Sequence, residues 1–532
     1  MRLAVLALLL TSQIPSRLAP GYNTIQESTL RANLAFLSSD GMQGRMSLQP
    51  GDDAAAEWVA SEFAKAGLKP AANGSFMQPV SLIEYRGDRA QSYVALNRGG
   101  VEKQWKFPDA YGGFPKDIDV TGDVVFAGFG ITAPELGYDD YKGIDANGKV
   151  VLIFDHEPQE NDAKSIFNGT GNTRYATTRV KLTNAQAHGA VGVLIVAEPN
   201  RKHPSNQERA ARIGGAAERA SPIPLQALAD DALHTPSATV SDAVAKELFA
   251  NAGITPSEAQ TKIDQDLTTQ SRALPDTNIT IHFKNVSSRI GTTNNVAGLL
   301  EGSDPKLSAE TLIISAHHDH NGASGKEVWH GADDNGSGTV GVVELAHAFA
   351  ANPVKPKRSI LFVVFAAEER GLLGAYYMAA HPLRPLAGTK AMINFDMIGR
   401  NETESEQTKG LIEIPADTTN RLNLIGGFYS PEYRHVVEQE NAHVGLVLDD
   451  RFDHESALNV FFRSDQFPFV LHDIPAFWWF TGFHPDYHHT TDTYDRINYK
   501  KMANILRLAY LTAFHFGDAK ETPKFVANPK GS

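Results

Sequence analysis

One apolar run, together with the residues that follow it, constrains the fold more than any other part of the chain. Residues 311–316 (Thr-Leu-Ile-Ile-Ser-Ala) are typical of a strand that is buried on both faces of a sheet. The run ends at His-His-Asp-His (317–320), and a glycine-rich loop with two aspartates follows at 331–338. Imidazoles and carboxylates bind borderline metal ions such as zinc. The sequence therefore predicts a metal site at the end of a buried strand.

Composition limits the possible partners and the possible chemistry. The formal net charge is -13, with 49 Lys and Arg against 62 Asp and Glu, which argues against binding to a phosphate backbone and excludes nucleic acid as an expected partner. The absence of cysteine excludes disulfides, thiolate ligands and a cysteine nucleophile. A length of 532 residues predicts two domains, or one domain that is interrupted by another.

The beginning of the sequence predicts an exported protein. Arg2 precedes an apolar run over residues 3–10 that is too short to span a bilayer, and polar and small residues follow it. This pattern predicts a signal peptide over residues 1–20, and the alternative is an apolar N-terminal helix of a cytosolic protein. No later segment predicts a membrane span. We therefore expect a periplasmic or extracellular protein without a stable membrane span after signal cleavage.

Strand and helix patterns alternate through the second half of the chain. The predicted strands are 278–286, 295–300, 311–316, 359–365, 390–395 and 475–480, and the predicted helices are 339–351, 372–380 and one that includes 502–516. The first two strands are expected to pair with each other. Two further helices, 24–37 and 53–66, precede this region. The alternation predicts an α/β fold, a three-layer α/β/α sandwich with a mixed, mostly parallel central sheet.

A segment between residues 117 and 262 has a different pattern. It contains short glycine-bounded strands at 123–130, 148–154 and 189–196 and helices at 178–188 and 241–251. Few clusters of catalytic type are visible in it. We interpret it as an inserted, smaller, β-rich α/β domain; the alternative is that it belongs to one continuous fold.

Ligand-type side chains follow several of the predicted strands. His317 and Asp319 follow 311–316, Asp333 and Asp334 lie in the glycine-rich loop, Glu368 and Glu369 follow 359–365, Asp396 follows 390–395, and Tyr487, His488 and His489 follow 475–480. Each has a simpler explanation when it is considered alone, since an acidic pair can cap a helix and a lone histidine is seldom a ligand. The carboxyl ends of parallel strands meet at one edge of a sheet, however, so the combination predicts a multi-ligand divalent metal site.

These motifs, in this order, resemble the co-catalytic dizinc aminopeptidase family, which includes bacterial leucyl aminopeptidases and glutamate carboxypeptidase II. The resemblance covers residues 276–518 and rests on Ala-His-His-Asp (316–319), Gly-Ala-Asp-Asp-Asn-Gly-Ser-Gly (331–338), Ala-Glu-Glu-Arg-Gly-Leu-Leu-Gly (367–374), Asn-Phe-Asp-Met (394–397) and Tyr-His (487–488). Residues 117–262, with Gly-Lys-Val-Val (148–151), resemble a protease-associated (PA) domain. The resemblance implies the zinc-peptidase fold with an inserted PA domain.

The resemblance also implies a role for each site residue. Asp334 would bridge two zinc ions, His317 and Asp396 would complete one site, Glu369 and His488 would complete the other, Glu368 would be the general base, and Tyr487 would face the oxyanion. Asp319 would orient His317 from behind the metal, and Arg463 would bind the substrate's carbonyl group. Cobalt or manganese could replace zinc.

Several neighbouring residues remain competitors for these roles. Asp333 is the rival of Asp334, and only the motif register favours Asp334. His318, His320, His484 and His489 could compete as ligands, but we expect them not to bind metal. Family members often have a cis peptide bond after the bridging aspartate, so we expect one between Asp334 and Asn335.

The predicted organisation is a signal peptide (1–20), the N-terminal part of the peptidase domain (21–116), a PA domain (117–262), the zinc peptidase core (263–520) and a C-terminal tail (521–532). The function implied by the resemblance is that of an exported zinc metallopeptidase, an aminopeptidase that hydrolyses N-terminal residues of peptides through a water bridged by two zinc ions. The alternatives are a dipeptidase or carboxypeptidase on the same core, and a single-zinc glutaminyl cyclase, which the full ligand set disfavours. A binding protein without catalysis is disfavoured for the same reason.

Overall fold

The computed structural model describes residues 13–201, 203, 223–458 and 460–528. Residues 1–12 of the predicted signal peptide lie outside this part. Leu18 is buried, and its carbonyl oxygen accepts a hydrogen bond of 3.2 Å from the hydroxyl of Tyr510. A chain that began at Gly21 would lose this contact. In the described residues, no helix combines the length and the apolar character that a membrane span requires.

The secondary structure alternates as predicted between residues 311 and 518. The helices are α1 (Ala19–Tyr22), α2 (Glu27–Leu37), α3 (Pro50–Lys65), α4 (Thr178–Ala187), α5 (Asp242–Leu248), α6 (Pro256–Asp266), α7 (Gly338–Ala351), α8 (Leu373–Ala380), α9 (Pro431–Asn441), α10 (Phe467–Val470) and α11 (Tyr499–Asp518). The strands are β1 (Lys69–Pro70), β2 (Met77–Gly87), β3 (Tyr93–Arg98), β4 (Val101–Trp105), β5 (Ala110–Gly112), β6 (Ile118–Phe126), β7 (Thr132–Ala133), β8 (Tyr138–Asp139), β9 (Val150–Phe154), β10 (Gly192–Val196), β11 (Leu225–Leu228), β12 (Ser237–Val240), β13 (Arg272–Phe283), β14 (Asn285–Leu300), β15 (Thr311–His317), β16 (Ala323–Ser324), β17 (Glu327–Val328), β18 (Ser359–Phe365), β19 (Thr389–Phe395), β20 (Arg421–Ile425), β21 (Val447–Asp449) and β22 (Ala476–Phe480).

The chain divides into two compact units. Unit 1 comprises Met1–Pro79, Asn294–Asp450 and Ser464–Val526, and unit 2 comprises Val80–Thr293, Arg451–Arg463 and Ala527–Ser532. Unit 2 extends beyond the predicted insert of residues 117–262, because strands on both sides of that range, β3 and β13, pair with each other. The predicted domain limits remain a prediction.

The sheet of unit 1 is mixed and mostly parallel. From residues 296–300 of β14 the strand order is β14, β18, β15, β19, β22, β20 and β21. The neighbouring pairs β18–β15, β15–β19, β19–β22 and β20–β21 are parallel, whereas β14–β18 and β22–β20 are antiparallel. This topology confirms the predicted fold class.

The central strands of this sheet are buried on both faces. Leu312 and Ile314 of β15 belong to one core with apolar residues of α2, α7 and α11. Ile313 lies between them, and side chains alternate between the faces of a strand, so it points to the opposite face. Ile313 is buried, as are Leu361 and Val363 of β18. Both faces are therefore covered, as a three-layer sandwich requires.

One predicted strand pair is wrong. The strands predicted at 278–286 and 295–300 correspond to β13 and β14, but these strands lie in different sheets. β13 pairs with β3 and β6 in unit 2, whereas residues 296–300 of β14 pair with β18 in unit 1. The apolar pattern identifies a strand but does not specify its partner, and adjacency in the sequence suggested the wrong partner.

Unit 2 contains an eight-stranded sheet in the order β4, β3, β13, β6, β9, β10, β12 and β5. Its central strands β6, β9, β10 and β12 are parallel to their neighbours in this series. In β9, Leu152 and Phe154 pack into one apolar cluster, while Val151 and Ile153 pack into another. The sheet is therefore buried on both faces, which explains why its strands are apolar without alternation.

A buried carboxyl group in α7 makes the stability of the protein depend on pH. Glu344 is buried, and burial raises its pKa to about 7. A glutamate in an unfolded chain titrates near pH ~4.3. The folded protein therefore keeps a proton that the unfolded chain has already released, and stability falls as the pH rises through this interval.

We predict that Glu344→Gln increases the free energy of unfolding at pH 8 by up to about 3 kcal/mol and changes it little at pH 4. The amide can still accept the hydrogen bond from the backbone N–H of Gln26. Urea unfolding followed by tryptophan fluorescence at both pH values measures the effect. Glu57→Gln, at an exposed position of α3, is the control and should show no such dependence. An equal gain at both pH values would contradict the explanation.

Candidate metal centre

Parallel strands of unit 1 end at one edge of the sheet, and ligand-type side chains follow them there. His317 closes β15, Glu368 and Glu369 follow β18, and Asp396 follows β19 directly. The loop between β15 and α7 contributes Asp334. The sheet therefore brings together residues that lie far apart in the sequence, as the strand-end pattern predicted.

The donor atoms form two groups that share one residue. The first group consists of His317, Asp334 and Asp396, and the second of His320, Asp334, Glu369 and His488. Within each group the donor atoms lie within 4.8 Å of one another. Since Asp334 belongs to both groups, its carboxylate is placed as a bridging ligand must be.

The first group has the spacing of ligands around one ion. His317 Nε2 lies 3.7 Å from Asp334 Oδ1 and 3.6 Å from Asp396 Oδ1. Two donors in a tetrahedral zinc site with bonds of about 2.0 Å are about 3.3 Å apart. His317 Nε2 is buried and makes no hydrogen bond with another described residue. The group therefore fits a divalent ion such as zinc.

The second group is tighter. His488 Nε2 lies 2.9 Å from Asp334 Oδ2 and 3.1 Å from Glu369 Oε2. His320 Nδ1 lies 2.7 Å from Glu369 Oε1 and 3.8 Å from Asp334 Oδ2. We expected His320 not to bind metal, and the structure places its side chain within the second donor group. His320 lies beyond the end of β15, which ends at His317.

The other competing histidines of this region contact different partners. His318 Nδ1 lies 3.1 Å from Asp52 Oδ1, and His318 Nε2 lies 3.0 Å from the carbonyl oxygen of Asn294. His484 Nε2 lies 3.2 Å from Asp333 Oδ2. Within the described part of the chain, neither histidine belongs to a donor group, and the same is true of His489.

The two neighbouring aspartates of the glycine-rich loop have different surroundings. Asp333 Oδ1 accepts a hydrogen bond of 2.7 Å from the backbone N–H of Gly399, and its other oxygen faces His484. Asp334 instead faces His317 and His488. The peptide bond that follows Asp334 is cis, as the resemblance implies. The geometry thus favours Asp334 over Asp333 as a ligand.

Glu368 lies beside the donor groups without belonging to either. Its Oε2 is 3.6 Å from His317 Nε2. The carboxylate of Asp319 accepts hydrogen bonds from the backbone N–H groups of Glu368 (2.9 Å) and Glu369 (3.2 Å). Asp319 Oδ1 is also 3.5 Å from His317 Nδ1, while that nitrogen is 3.2 Å from the Asp319 carbonyl oxygen. Asp319 therefore links the two loops that supply the site.

Sequence reasoning did not identify Asp492, which holds the loop that carries Asp334. The Asp492 carboxylate accepts hydrogen bonds from the backbone N–H groups of Asp333 (2.9 and 3.1 Å) and Asp334 (3.1 Å). It lies in an irregular segment far along the chain, so no local pattern marks it. The hydroxyl of Ser464, which follows Arg463 in the sequence, donates a hydrogen bond of 2.7 Å to Asp396 Oδ2.

Sequence reasoning also did not identify Arg45, which binds backbone carbonyl groups of residues 318, 330 and 331 in the segments that carry the site. Its buried guanidinium donates hydrogen bonds to the carbonyl oxygens of His318 (2.8 Å), His330 (2.7 Å), Gly331 (2.8 Å) and Leu37 (2.9 Å). Burial lowers its pKa to about 10, so it remains charged at neutral pH. Arg45 ends a short 3-10 helix (Asp40–Arg45), and no sequence pattern indicates this role.

Two predicted substrate contacts remain predictions. The ring of Tyr487 stacks on the imidazole of His488, with centroids 3.9 Å apart. Arg463 belongs to unit 2, where its Nη1 donates a hydrogen bond of 3.3 Å to the carbonyl oxygen of Leu458.

Burial and charge crowding define the electrostatics of the centre. Burial, reinforced by the carboxylate of Glu369, raises the pKa of Asp334 to about 8. Burial lowers the pKa of His488, but the charges and hydrogen bonds of Glu369 and Asp334 together outweigh burial, and the pKa rises to about 9. Burial also raises the pKa of Glu368 well above its usual range. Carboxylates buried this closely need positive charge beside them, which divalent cations supply.

The fold and this donor arrangement agree with those that the resemblance of the motifs implies. Residues 295–513 match the model of peptidase family M28, and residues 120–248 match the model of the PA domain. The chain therefore contains a region of peptidase family M28 and a PA domain, as the resemblance of its motifs implied.

Individual relatives agree with this assignment. A probable zinc metalloprotease of Pyrenophora teres f. teres (strain 0-1) is 38% identical over 112 residues, which are 19% of this chain and 24% of that protein. Leucine aminopeptidase 2 of Arthroderma otae is 27% identical over 268 residues, which are 45% of this chain and 49% of that protein. The chain thus spans about a quarter to about half of the length of these relatives.

A solved structure shows that the likeness of fold extends over almost the whole chain. The aminopeptidase from Aneurinibacillus sp. strain AM-1 aligns with a TM-score of 0.50 and 19% sequence identity, covering 94% of this chain and 96% of that one. At this identity the comparison establishes the fold.

The geometry predicts different outcomes for the two neighbouring aspartates. We predict that Asp334→Asn removes most of the bound zinc, because Asp334 is shared by both donor groups, whereas Asp333→Asn retains zinc. Metal analysis after dialysis against a zinc buffer measures the content of each variant, and circular dichroism checks that both are folded. Loss of zinc from Asp333→Asn with retention of zinc in Asp334→Asn would show that Asp333, and not Asp334, is the shared ligand.

Proposed function

We propose that the protein is an exported aminopeptidase that hydrolyses N-terminal residues of peptides with two zinc ions. The observation that carries the proposal is the sharing of Asp334 by two donor groups, with the carboxyl group of Glu368 3.6 Å from His317 of the first group and part of neither group. The region of peptidase family M28 and the relatives named leucine aminopeptidase support the same reaction. Export rests on the signal-like pattern of residues 1–20.

The donor set fits two ions. His317 and Asp396 would hold one ion, Glu369 and His488 the other, and Asp334 both, with His320 within reach of the second. When bound, such a pair of ions polarises the scissile carbonyl group and makes water a stronger nucleophile at neutral pH. The protein's own contribution is to fix these side chains before the substrate arrives.

Glu368 is the proposed general base. Its backbone N–H is hydrogen-bonded to Asp319, which fixes the start of the loop after β18. Its carboxylate would accept a proton from the attacking water and donate it to the nitrogen of the leaving amine, so that one group serves both halves of the hydrolysis. The phenol of Tyr487, held against His488, would donate a hydrogen bond to the developing oxyanion.

The alternatives differ in what they require. A glutaminyl cyclase with one zinc ion would not need the second donor group, which contains three side chains besides Asp334. A dipeptidase or carboxypeptidase would need a cation that holds a C-terminal carboxylate, and Arg463 is the residue that the sequence suggests for it.

We predict that Glu368→Gln lowers kcat for peptide hydrolysis by at least about 1000-fold while the zinc content stays unchanged. The amide keeps the size of the side chain but cannot accept and return a proton. Steady-state kinetics and metal analysis of the same preparation provide the two readouts. The matched control is the neighbouring Glu369→Gln, which should lose zinc as well as activity. Activity near that of the wild type in a zinc-loaded Glu368→Gln protein would exclude the proposed base.

A panel of peptides tests the position of cleavage. We predict that the enzyme cleaves peptides with a free N-terminal amine, does not cleave their N-acetylated forms, and tolerates amidation of the C-terminus. Product masses identify the released residue, and a chelator should abolish cleavage, with recovery on addition of zinc. Cleavage of N-acetylated peptides that requires a free C-terminus would identify a carboxypeptidase instead, and cleavage that resists the chelator would exclude the metal.

A further inference from the structure

Unit 2 contains a second group of ligand-type side chains, none of which the family resemblance used. The group consists of His156, Glu160, Glu198 and His203, whose donor atoms all lie within 4.8 Å of one another. Two imidazoles and two carboxylates form a donor set suited to zinc and related divalent ions.

The strand arrangement explains why these residues meet. β9 and β10 are neighbouring parallel strands, with Phe154 opposite Val196 at their carboxyl ends. His156 and Glu160 lie in the loop that follows β9, and Glu198 and His203 lie in the segment that follows β10. Loops that leave the same ends of adjacent parallel strands share one edge of the sheet, which is where open α/β sheets bind ligands.

The contacts within the group are short, and the contact between His203 and Glu160 lacks hydrogen-bond geometry. His156 Nδ1 lies 2.9 Å from Glu160 Oε1. His203 Nε2 lies 2.6 Å from Glu160 Oε2 and 3.7 Å from Glu198 Oε1. Glu160 Oε2 and both nitrogens of His203 nevertheless have no partner with hydrogen-bond geometry among the described residues. Glu160 is almost completely buried, so this oxygen has no access to bulk water to compensate.

The two histidines also have the arrangement of ligands that share a small space. The rings of His156 and His203 stack with their centroids 3.8 Å apart and an interplanar angle of 13°. If both rings carried a proton, two cations would be stacked face to face. One ion bound by neutral imidazoles avoids that repulsion, because zinc binds the unprotonated nitrogen.

The carboxylates around the group outnumber the cationic side chains, so a divalent cation would balance the charge. Arg201 is one cation, with Nε 3.2 Å from Glu198 Oε1 and 3.9 Å from Glu160 Oε2, and Nη1 3.3 Å from Asp264 Oδ1. Asp155 adds another carboxylate, 4.0 Å from His156 Nε2.

The second cation is Lys181, whose buried ammonium donates hydrogen bonds to the carbonyl oxygens of Phe129 (2.7 Å) and Phe154 (2.9 Å) and to that of His156. The carboxyl group of Glu157 accepts hydrogen bonds from the backbone N–H and the hydroxyl of Thr173. The carboxylates of Asp155, Glu160, Glu198 and Asp264 thus outnumber the side-chain cations of Lys181 and Arg201, and a divalent ion would balance the difference.

We propose that these four side chains bind one divalent transition-metal ion, with zinc the expected occupant, and that the ion fastens the loop after β9 to the segment after β10. The role is structural, and it does not depend on the proposed peptidase activity. The competing explanation is a metal-free network, in which a protonated His156 is paired with Glu160.

Anomalous diffraction tests the site directly. Crystals of the full-length wild-type protein grown with Zn²⁺ are measured on both sides of the zinc absorption edge. We expect an anomalous peak between His156, Glu160, Glu198 and His203 that disappears below the edge. A map without a peak at these side chains, from crystals that show zinc at Asp334, overturns the proposal. If the peak at Asp334 is missing and the peak in unit 2 is present, the proposed function fails and this proposal stands; if both are missing, both fail.

Zinc content in solution provides a second measurement. The double variant with Glu160→Gln and His203→Gln should bind one zinc ion per chain fewer than the wild type. Added zinc should raise its melting temperature less than it raises that of the wild type. Its kcat for peptide hydrolysis should be unchanged. The matched control is His234→Gln, at an exposed histidine of the same unit, which should keep the full zinc content. Asp334→Asn should still bind zinc in unit 2. A double variant that is folded and holds as much zinc as the wild type excludes the site.

Discussion

The carboxylate of Asp492 fixes the backbone on which the whole centre of unit 1 depends. It accepts hydrogen bonds from the backbone N–H groups of both Asp333 and Asp334. It therefore orients the backbone that carries the side chain of Asp334, which both donor groups share. Hydrogen bonds to a charged acceptor are among the strong ones in proteins, and here both partners are buried. The pair of neighbouring aspartates is thereby divided, with Asp333 directed to Gly399 and Asp334 directed to His317 and His488.

Much of this architecture can be predicted from the sequence, because in a parallel sheet the position of each strand end in the sequence also gives its position in the fold. A strand that is buried on both faces is recognisable from its composition, and its last residue is necessarily at the edge where neighbouring parallel strands also end. Knowing the ends of β15, β18 and β19 is therefore enough to gather His317, Glu369 and Asp396 before any partner strand is known. The same reasoning fails for β13 and β14, since a strand pattern contains no information on pairing.

The residues that were missed act on the backbone through long-range hydrogen bonds. Arg45 reaches carbonyl groups of residues 318, 330 and 331, and Asp492 reaches N–H groups of residues 333 and 334. Arg45 ends a short 3-10 helix (Asp40–Arg45) with non-helical dihedrals at residues 43 and 44, and Asp492 lies outside the helices and strands, so no periodic pattern predicts where either side chain points. His320 was noticed but was not expected to bind metal, and the structure places it in the second donor group. Local periodicity predicts ligands on regular elements, but the supports of a site come from irregular segments.

The two donor clusters obey the same rule of strand ends, yet they differ in the features that separate catalysis from structure. In unit 1 one carboxylate serves two groups, and Glu368 stands beside them with no place in either. In unit 2 four side chains form a single group, and the adjacent Glu157 accepts hydrogen bonds from the backbone N–H and hydroxyl of Thr173. Structural zinc sites are closed by four protein ligands, whereas catalytic sites keep a position for water or substrate. By this criterion the proposed ion of unit 2 would have a structural role, and the proposed ions of unit 1 would have a catalytic one.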